Sequence, residues 1–170
     1  MKSLFTTLLM LYTCGTALAG CPVGAIEKAL GAPLDGLDKV EREVTDLQST
    51  EGGAWRIFRN SDGQLVSLLR IDGGESGMSE RRLSVLTPDA YGITVTRVDY
   101  LQHAFIDNGG PNGTAKRTTE YFYYCDGKLY VPPSEYSTLD GGEYAKAGAE
   151  AQMAMIGDKD VADVTKALRR

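Results

Sequence analysis

Histidine is almost missing from this chain: His103 is the only one in 170 residues. Metal sites built on several imidazoles of one subunit are thereby excluded. Positive charge is in deficit, with a formal net charge of -5 at pH 7. Such a protein is poorly suited to gripping phosphate backbones or anionic membrane surfaces by charge. No apolar run approaches the ~20 residues that a membrane-spanning helix needs. There is no internal repeat and no long linker. Twenty glycines and six prolines are spread out as turn signals rather than gathered into low-complexity tracts. What remains is a composition of 42% hydrophobic and 24% charged residues. That is enough apolar material for a folded core, and it excludes disorder as the main state.

The first residues are the most informative. Lys2 supplies a positive start, and Leu4 to Leu11 is apolar but for Thr6 and Thr7. Ala17-Leu18-Ala19 then meets the small-x-small rule for signal cleavage. The reading is a signal peptide over 1–20 and one α+β domain over 21–170. The tetrad Leu18-Ala19-Gly20-Cys21 also resembles the lipobox of bacterial exported lipoprotein precursors. That resemblance implies cleavage before Cys21, acylation of its sulfur and a membrane anchor. It covers four residues and implies no fold family.

Cysteine usage bears on the choice. Cys14 leaves with the signal, so the mature chain keeps Cys21 and Cys125. Unlipidated, two cysteines in an oxidising compartment are expected to pair. A polar tether normally follows a lipid anchor. Here 22–30 already reads as a short helix. The tetrad favours the lipid, whereas the partner cysteine and missing tether favour a disulfide. The balance is nearly even, tilted towards the lipid.

Beyond the N-terminus, Leu34, Leu37, Val40, Val44 and Leu47 recur at three and four residues, which predicts a helix over about 36–48. Strand patterns follow at 55–59, 64–72, 80–86, 93–106, 117–125 and 128–131. The phase of apolar residues slips within 93–106, so a bulge is expected near Thr96-Arg97. Asp126-Gly127 marks a two-residue hairpin. It sets Phe122, Tyr124, Leu129 and Val131 on one face, and Tyr121, Tyr123, Tyr130 and Cys125 on the other. Alanine-rich 141–156 predicts a helix stopped by Gly157, with Asp158 capping a second stripe of Val161, Val164 and Leu168. The expected fold is α+β: an N-terminal helix, an antiparallel meander of about six strands, and C-terminal helices packed on a curved sheet.

Chemistry-bearing residues are few. Asp99 lies four residues before His103, about 13 Å along a strand and out of hydrogen-bond reach. The plain reading is a half-exposed strand histidine. Cys125 abuts a tight turn and reads as structural rather than nucleophilic. Asp38 with Glu41, and Asp158 with Asp160, read as solvated or helix-capping carboxylates. The loop 107–112 lacks the closing glutamate of an EF-hand. Gly73-Gly74-Glu75-Ser76-Gly77 lacks the lysine and helix of a phosphate loop. Asn112-Gly113-Thr114 fits the glycosylation acceptor pattern, which carries no weight in the bacterial source that the tetrad's resemblance implies. No catalytic residue, cofactor or metal site is assigned. The feature retained is the tyrosine face, Tyr121, Tyr123 and Tyr130, as a binding surface unless the C-terminal helix covers it.

The expected function is a non-catalytic exported envelope protein. It would be a small binding or interaction module, with or without a lipid anchor at Cys21. Its partner would be a protein or a small apolar ligand, not nucleic acid. The membrane would be met only through the lipid. The alternative is a periplasmic or secreted carrier of a small apolar ligand, stapled from Cys21 to Cys125. Its cavity would be lined by residues such as Trp55, Tyr100 and Phe105. An enzyme using His103 with a carboxylate or Cys125 is the third reading.

Overall fold

A computed structural model describes residues 20–46, 51–101, 113–132 and 139–169. Helix α1 (Val23–Gly31) precedes seven strands: β1 (Asp38–Glu43), β2 (Gly53–Arg59), β3 (Leu65–Gly74), β4 (Gly77–Thr87), β5 (Ala90–Tyr100), β6 (Thr114–Cys125) and β7 (Lys128–Tyr130). Helix α2 (Gly141–Gln152) follows. It continues through a π-helical turn at Met153–Gly157 and a short helical tail up to Leu168. The strands form one antiparallel sheet in the order β1-β2-β3-β4-β5-β6-β7, each beside its neighbour in sequence. The α+β meander with flanking helices is therefore present.

Three expectations need correction. The helix over 36–48 is the edge strand β1, paired through Val40 with Ile57 and Arg42 with Trp55. Val40 and Val44 lie four apart, which satisfies both a helical period and the two-residue strand period. Pairing decides, because β1 completes the hydrogen-bond ladder of β2. The sheet accordingly has seven strands rather than about six. The bulge expected at Thr96-Arg97 is missing: β4 and β6 pair regularly there, and the irregularity falls at Asp99/Tyr100. The apolar phase slips because β5 is covered on both sides, with Ile93 buried on one and Val98 on the other. Finally, Val131 is 50% exposed rather than part of the core.

The two faces are packed differently. On one, Trp55, Ile57, Leu68, Leu83, Ile93, Phe122 and Tyr124 meet Tyr144, Ala151, Met155 and Val161 of the C-terminal segments. Each fully buried large side chain contributes roughly 1.5–3 kcal/mol. The tyrosine hydroxyls of this core find partners, whereas Trp55 Nε1 has none among the described residues. Tyr124 Oη donates to the Gly148 carbonyl (2.6 Å) and Gln152 Nε2 donates to Tyr91 Oη (2.7 Å). The rings of Tyr91 and Tyr124 stack with centroids 4.9 Å apart. Asp140 caps α2, accepting from the backbone N–H of Gly142 and Glu143. As expected, Asp158 caps the next turn, accepting from Asp160 N (2.8 Å).

Among the described residues, α1 is the helix that packs on the opposite face. Ile26 and Leu30 bury against Ala90 and Tyr123, with Cys21, Val23 and Cys125 at the margin. The helix lies on Gly92 so closely that a Cβ there would fall 2.7 Å from Leu30 Cδ1. Gly92→Val should therefore push α1 off the sheet. The expected loss is about 1–3 kcal/mol, the usual cost of overpacking. Hydrogen exchange would show the change confined first to the α1 amides. Protection of α1 left unchanged would refute this account of its docking.

Candidate functional site

The sheet continues beyond the end of α1, and there its outer face forms a concavity. Register sets the lining residues in rungs. Gly92 and Tyr123 form one rung beneath α1; Arg82, Thr94 and Tyr121 form the next; Glu80, Thr96 and Thr119 form a third; Val98 and Arg117 lie beyond. Successive rungs are about 6.6 Å apart, two residues along each strand. The result is an open trough of about 650 Å³, with Glu27, Leu30 and Gly31 of α1 as its wall.

Its chemistry is polar. The Thr96 and Thr119 hydroxyls lie 2.9 Å apart across β5 and β6. Arg82 Nη2 donates to the Ala32 carbonyl (2.7 Å) just past the end of α1, where a cation suits the helix dipole. Its Nε donates to Ser84 Oγ (3.2 Å). Burial pushes the guanidinium below its ordinary pKa, while Glu80 raises it. Arg82 and Arg117 make no ion pair among the described residues.

The tyrosine face divides. Tyr123 is 4% exposed, and its hydroxyl donates to Glu27 Oε1 at 2.8 Å. Burial pushes that hydroxyl well above its ordinary pKa, and the Glu27 contact adds to the rise. Tyr121 and Tyr130 stay 43% and 37% exposed. The C-terminal helices do not cover this face, because they pack on the other one; α1 covers Tyr123 instead. Sequence reasoning reached Tyr121 and Tyr123 but missed Arg82, Thr94, Thr96 and Thr119. The alternations Thr94-x-Thr96 and Thr119-x-Tyr121 hint at one polar face. Their meeting with Arg82 needs the register of three strands.

Cys21 and Cys125 are joined by a disulfide, with Cα atoms 5.7 Å apart. Of the two readings of Cys21, the structure carries the disulfide. A sulfur so bonded is not free to be acylated at Cys21, nor to act as a nucleophile at Cys125. Trp55 is fully buried in the core rather than lining a cavity. His103, Phe105 and the loop 107–112 lie outside the described residues.

A second cluster lies on the opposite face. Arg70 Nη1 donates to Asp158 Oδ2, Nη2 to Asp46 Oδ1 and Nε to Asp72 Oδ1, each at 2.9 Å. Arg81 also donates to Asp72. The Arg70 guanidinium lies 5.4 Å from the Trp55 ring centroid. Carboxylate oxygens of Asp46, Asp158 and Asp160 lie within 4.8 Å of one another. They are already engaged: Arg70 holds the first two, and Thr45 donates both N–H and Oγ1 to Asp160. The arrangement is a clamp between β3, the end of β1 and the C-terminal segment. Nearby, Arg42 forks onto both Asp163 oxygens and holds that carboxyl down to about 2. Among the described residues no helix is long and apolar enough to cross a membrane. The chain matches no protein-family model, no curated protein and no solved structure.

Proposed function

We propose that this protein is an exported, non-catalytic binding module that takes a polar ligand in the trough beside Tyr121. The observation that carries this reading is the trough itself. It is an open concavity in which two guanidinium groups lacking ion-pair partners among the described residues stand beside three threonine hydroxyls. Arg82 keeps guanidinium donors beyond those that bond Ala32 and Ser84, and such groups match hydroxyl- or carboxylate-bearing ligands in geometry. The half-exposed Tyr121 ring offers a flat apolar contact beside them. This lining suits a polar ligand better than an apolar one. Export is supported by the N-terminal layout and by the disulfide, which persists in oxidising compartments.

The test is an amide chemical-shift titration of the oxidised 20–170 chain with a panel of neutral sugars, sugar acids and dicarboxylates. A ligand should move Thr94, Thr96, Thr119 and Tyr121 together. Arg82→Ala should weaken its binding about tenfold or more, as loss of a charge-assisted contact does. Binding that maps elsewhere, or that survives Arg82→Ala unchanged, would sink the proposal. Export is checked separately by the mass of the mature chain recovered from a secreting host. A lipid-free chain that takes two alkyl groups only after reduction is expected. A chain starting at Cys21 and carrying acyl groups would overturn the disulfide form.

A further inference from the structure

The sheet carries two bulges at one end. Phe58 pairs with Ser67 and Arg59 with Leu65, so Val66 is an extra residue in β3. Val85 pairs with Tyr91 and Thr87 with Ala90, so Leu86 is an extra residue in β4. The β3–β4 ladder ends just before them, at Ser67 and Ser84. Bulges re-aim side chains and recur beside functional sites. Val66 and Leu86 both line one cavity of about 490 Å³, which Val164 and Leu168 of the C-terminal segment also line. Its walls come from 59–66, 85–88 and 164–168, all within the described residues.

Most of this lining is apolar and continuous with the core. Leu65 and Val85 pack against the main cluster, to which Val164 and Leu168 belong. Leu86 stays 40% exposed beside them. The polar turn at one end satisfies itself: Asn60 Oδ1 accepts from Asp62 N and Gln64 N, and its Nδ2 donates to Gln64 Oε1. Among the described residues, Arg59 is the one charged side chain in the lining, in a protein whose net charge is -5. Asp38 stands opposite it on β1, yet Arg59 Nη1 donates to the Gly63 carbonyl at 2.8 Å. That contact orients the guanidinium and leaves its Nε and Nη2 donors for a further acceptor.

We infer that this cavity binds an anionic amphiphile, a single alkyl chain lying on the apolar lining with its carboxylate on Arg59. Sites for small molecules usually measure about 300–1,000 Å³ and combine apolar walls with a few polar anchors. A carboxylate is planar and accepts the paired N–H groups that a guanidinium presents. An uncharged chain would forgo that contact, and a cationic one would be repelled by it. The cavity shares no residue with the trough, so neither reading depends on the other.

The test is an amide chemical-shift titration of the oxidised 20–170 chain with hexanoate, octanoate and decanoate. Val66, Leu86 and Ala167 should move together, while Thr94 and Thr119 stay still. Each two-carbon step should tighten binding about tenfold, as two more buried CH2 groups do. Octanol should bind about tenfold more weakly than octanoate, having lost the charge-assisted contact, and octyltrimethylammonium more weakly again. Arg59→Gln should erase the difference between octanoate and octanol, and Arg59→Lys should keep part of it. Leu86→Asp, at an exposed position, should weaken octanoate about tenfold or more by setting a like charge beside the chain. Circular dichroism checks each fold; if Arg59→Gln disturbs the turn at 60–64, Leu86→Asp decides alone. Shifts that map to the trough or elsewhere, an affinity indifferent to chain length, or equal binding of octanoate and octyltrimethylammonium would overturn the assignment.

Discussion

Methionine in place of Arg70 is expected to destabilise the protein by about 3–5 kcal/mol, the usual cost of breaking a buried ion pair from one side. The magnitude follows from burial. Arg70 is 9% exposed at its side chain, Asp158 5% and Asp72 12%. Removing the guanidinium leaves the shielded Asp158 without its cation and Asp72 with Arg81 alone, and one partner lost is worse than both. The double variant Arg70→Met with Asp158→Asn should therefore recover part of the loss. Asparagine still caps the turn at Asp160 N. Urea unfolding of both variants is followed by Trp55 fluorescence, because the buried indole reaches water when the core opens. A cost below 1 kcal/mol, or no recovery in the double variant, would show that the clamp is ornamental.

The second large effect concerns the disulfide. Its cysteines are 104 residues apart in sequence. In the chain-entropy account, closing a loop of that size is worth about 4–5 kcal/mol. Serine at both positions should lower stability by up to that amount. The loss should also be local. Cys21 and Cys125 border the small cluster under α1, where Ile26 and Leu30 are the main apolar anchors. Helix α1 should fray before the sheet melts, exposing Tyr123 and dismantling the trough wall that Glu27 and Leu30 provide. Hydrogen exchange in the Ser/Ser variant should show α1 unprotected while β3 to β5 remain protected. Global loss of protection in one step would instead mean that α1 is integral to the sheet's stability.

The strands from 55 onward, the Asp126-Gly127 hairpin and the capped C-terminal helices were legible in the chain because short-range chemistry sets them. Turn residues, alternation and capping side chains act over a few positions. The segment 38–43 was not legible. Val40 and Val44 fit two periods at once, and only the long-range partner Ile57 resolves them. The tyrosine face was half legible: the hairpin gives Tyr121 and Tyr123 one side, but which helix covers that side depends on packing. Arg82 joins the site through strand register and the backbone of Ala32, and neither has a local signature. Arg70 was likewise invisible, since its partners come from residues 46, 72 and 158.

The sequential order of the strands has a kinetic consequence. Every ladder joins neighbours in the chain, so loop-closure costs are small and the sheet can zip up hairpin by hairpin. Among the links that break that economy are the 104-residue Cys21–Cys125 connection and the 88-residue Arg70–Asp158 contact. The first tethers α1 to one side of the sheet, and the second pins the C-terminal tail to the other. Both wait for the last third of the polypeptide. A chain interrupted before Cys125 can therefore assemble most of its hairpins, yet has no means of closing either cover.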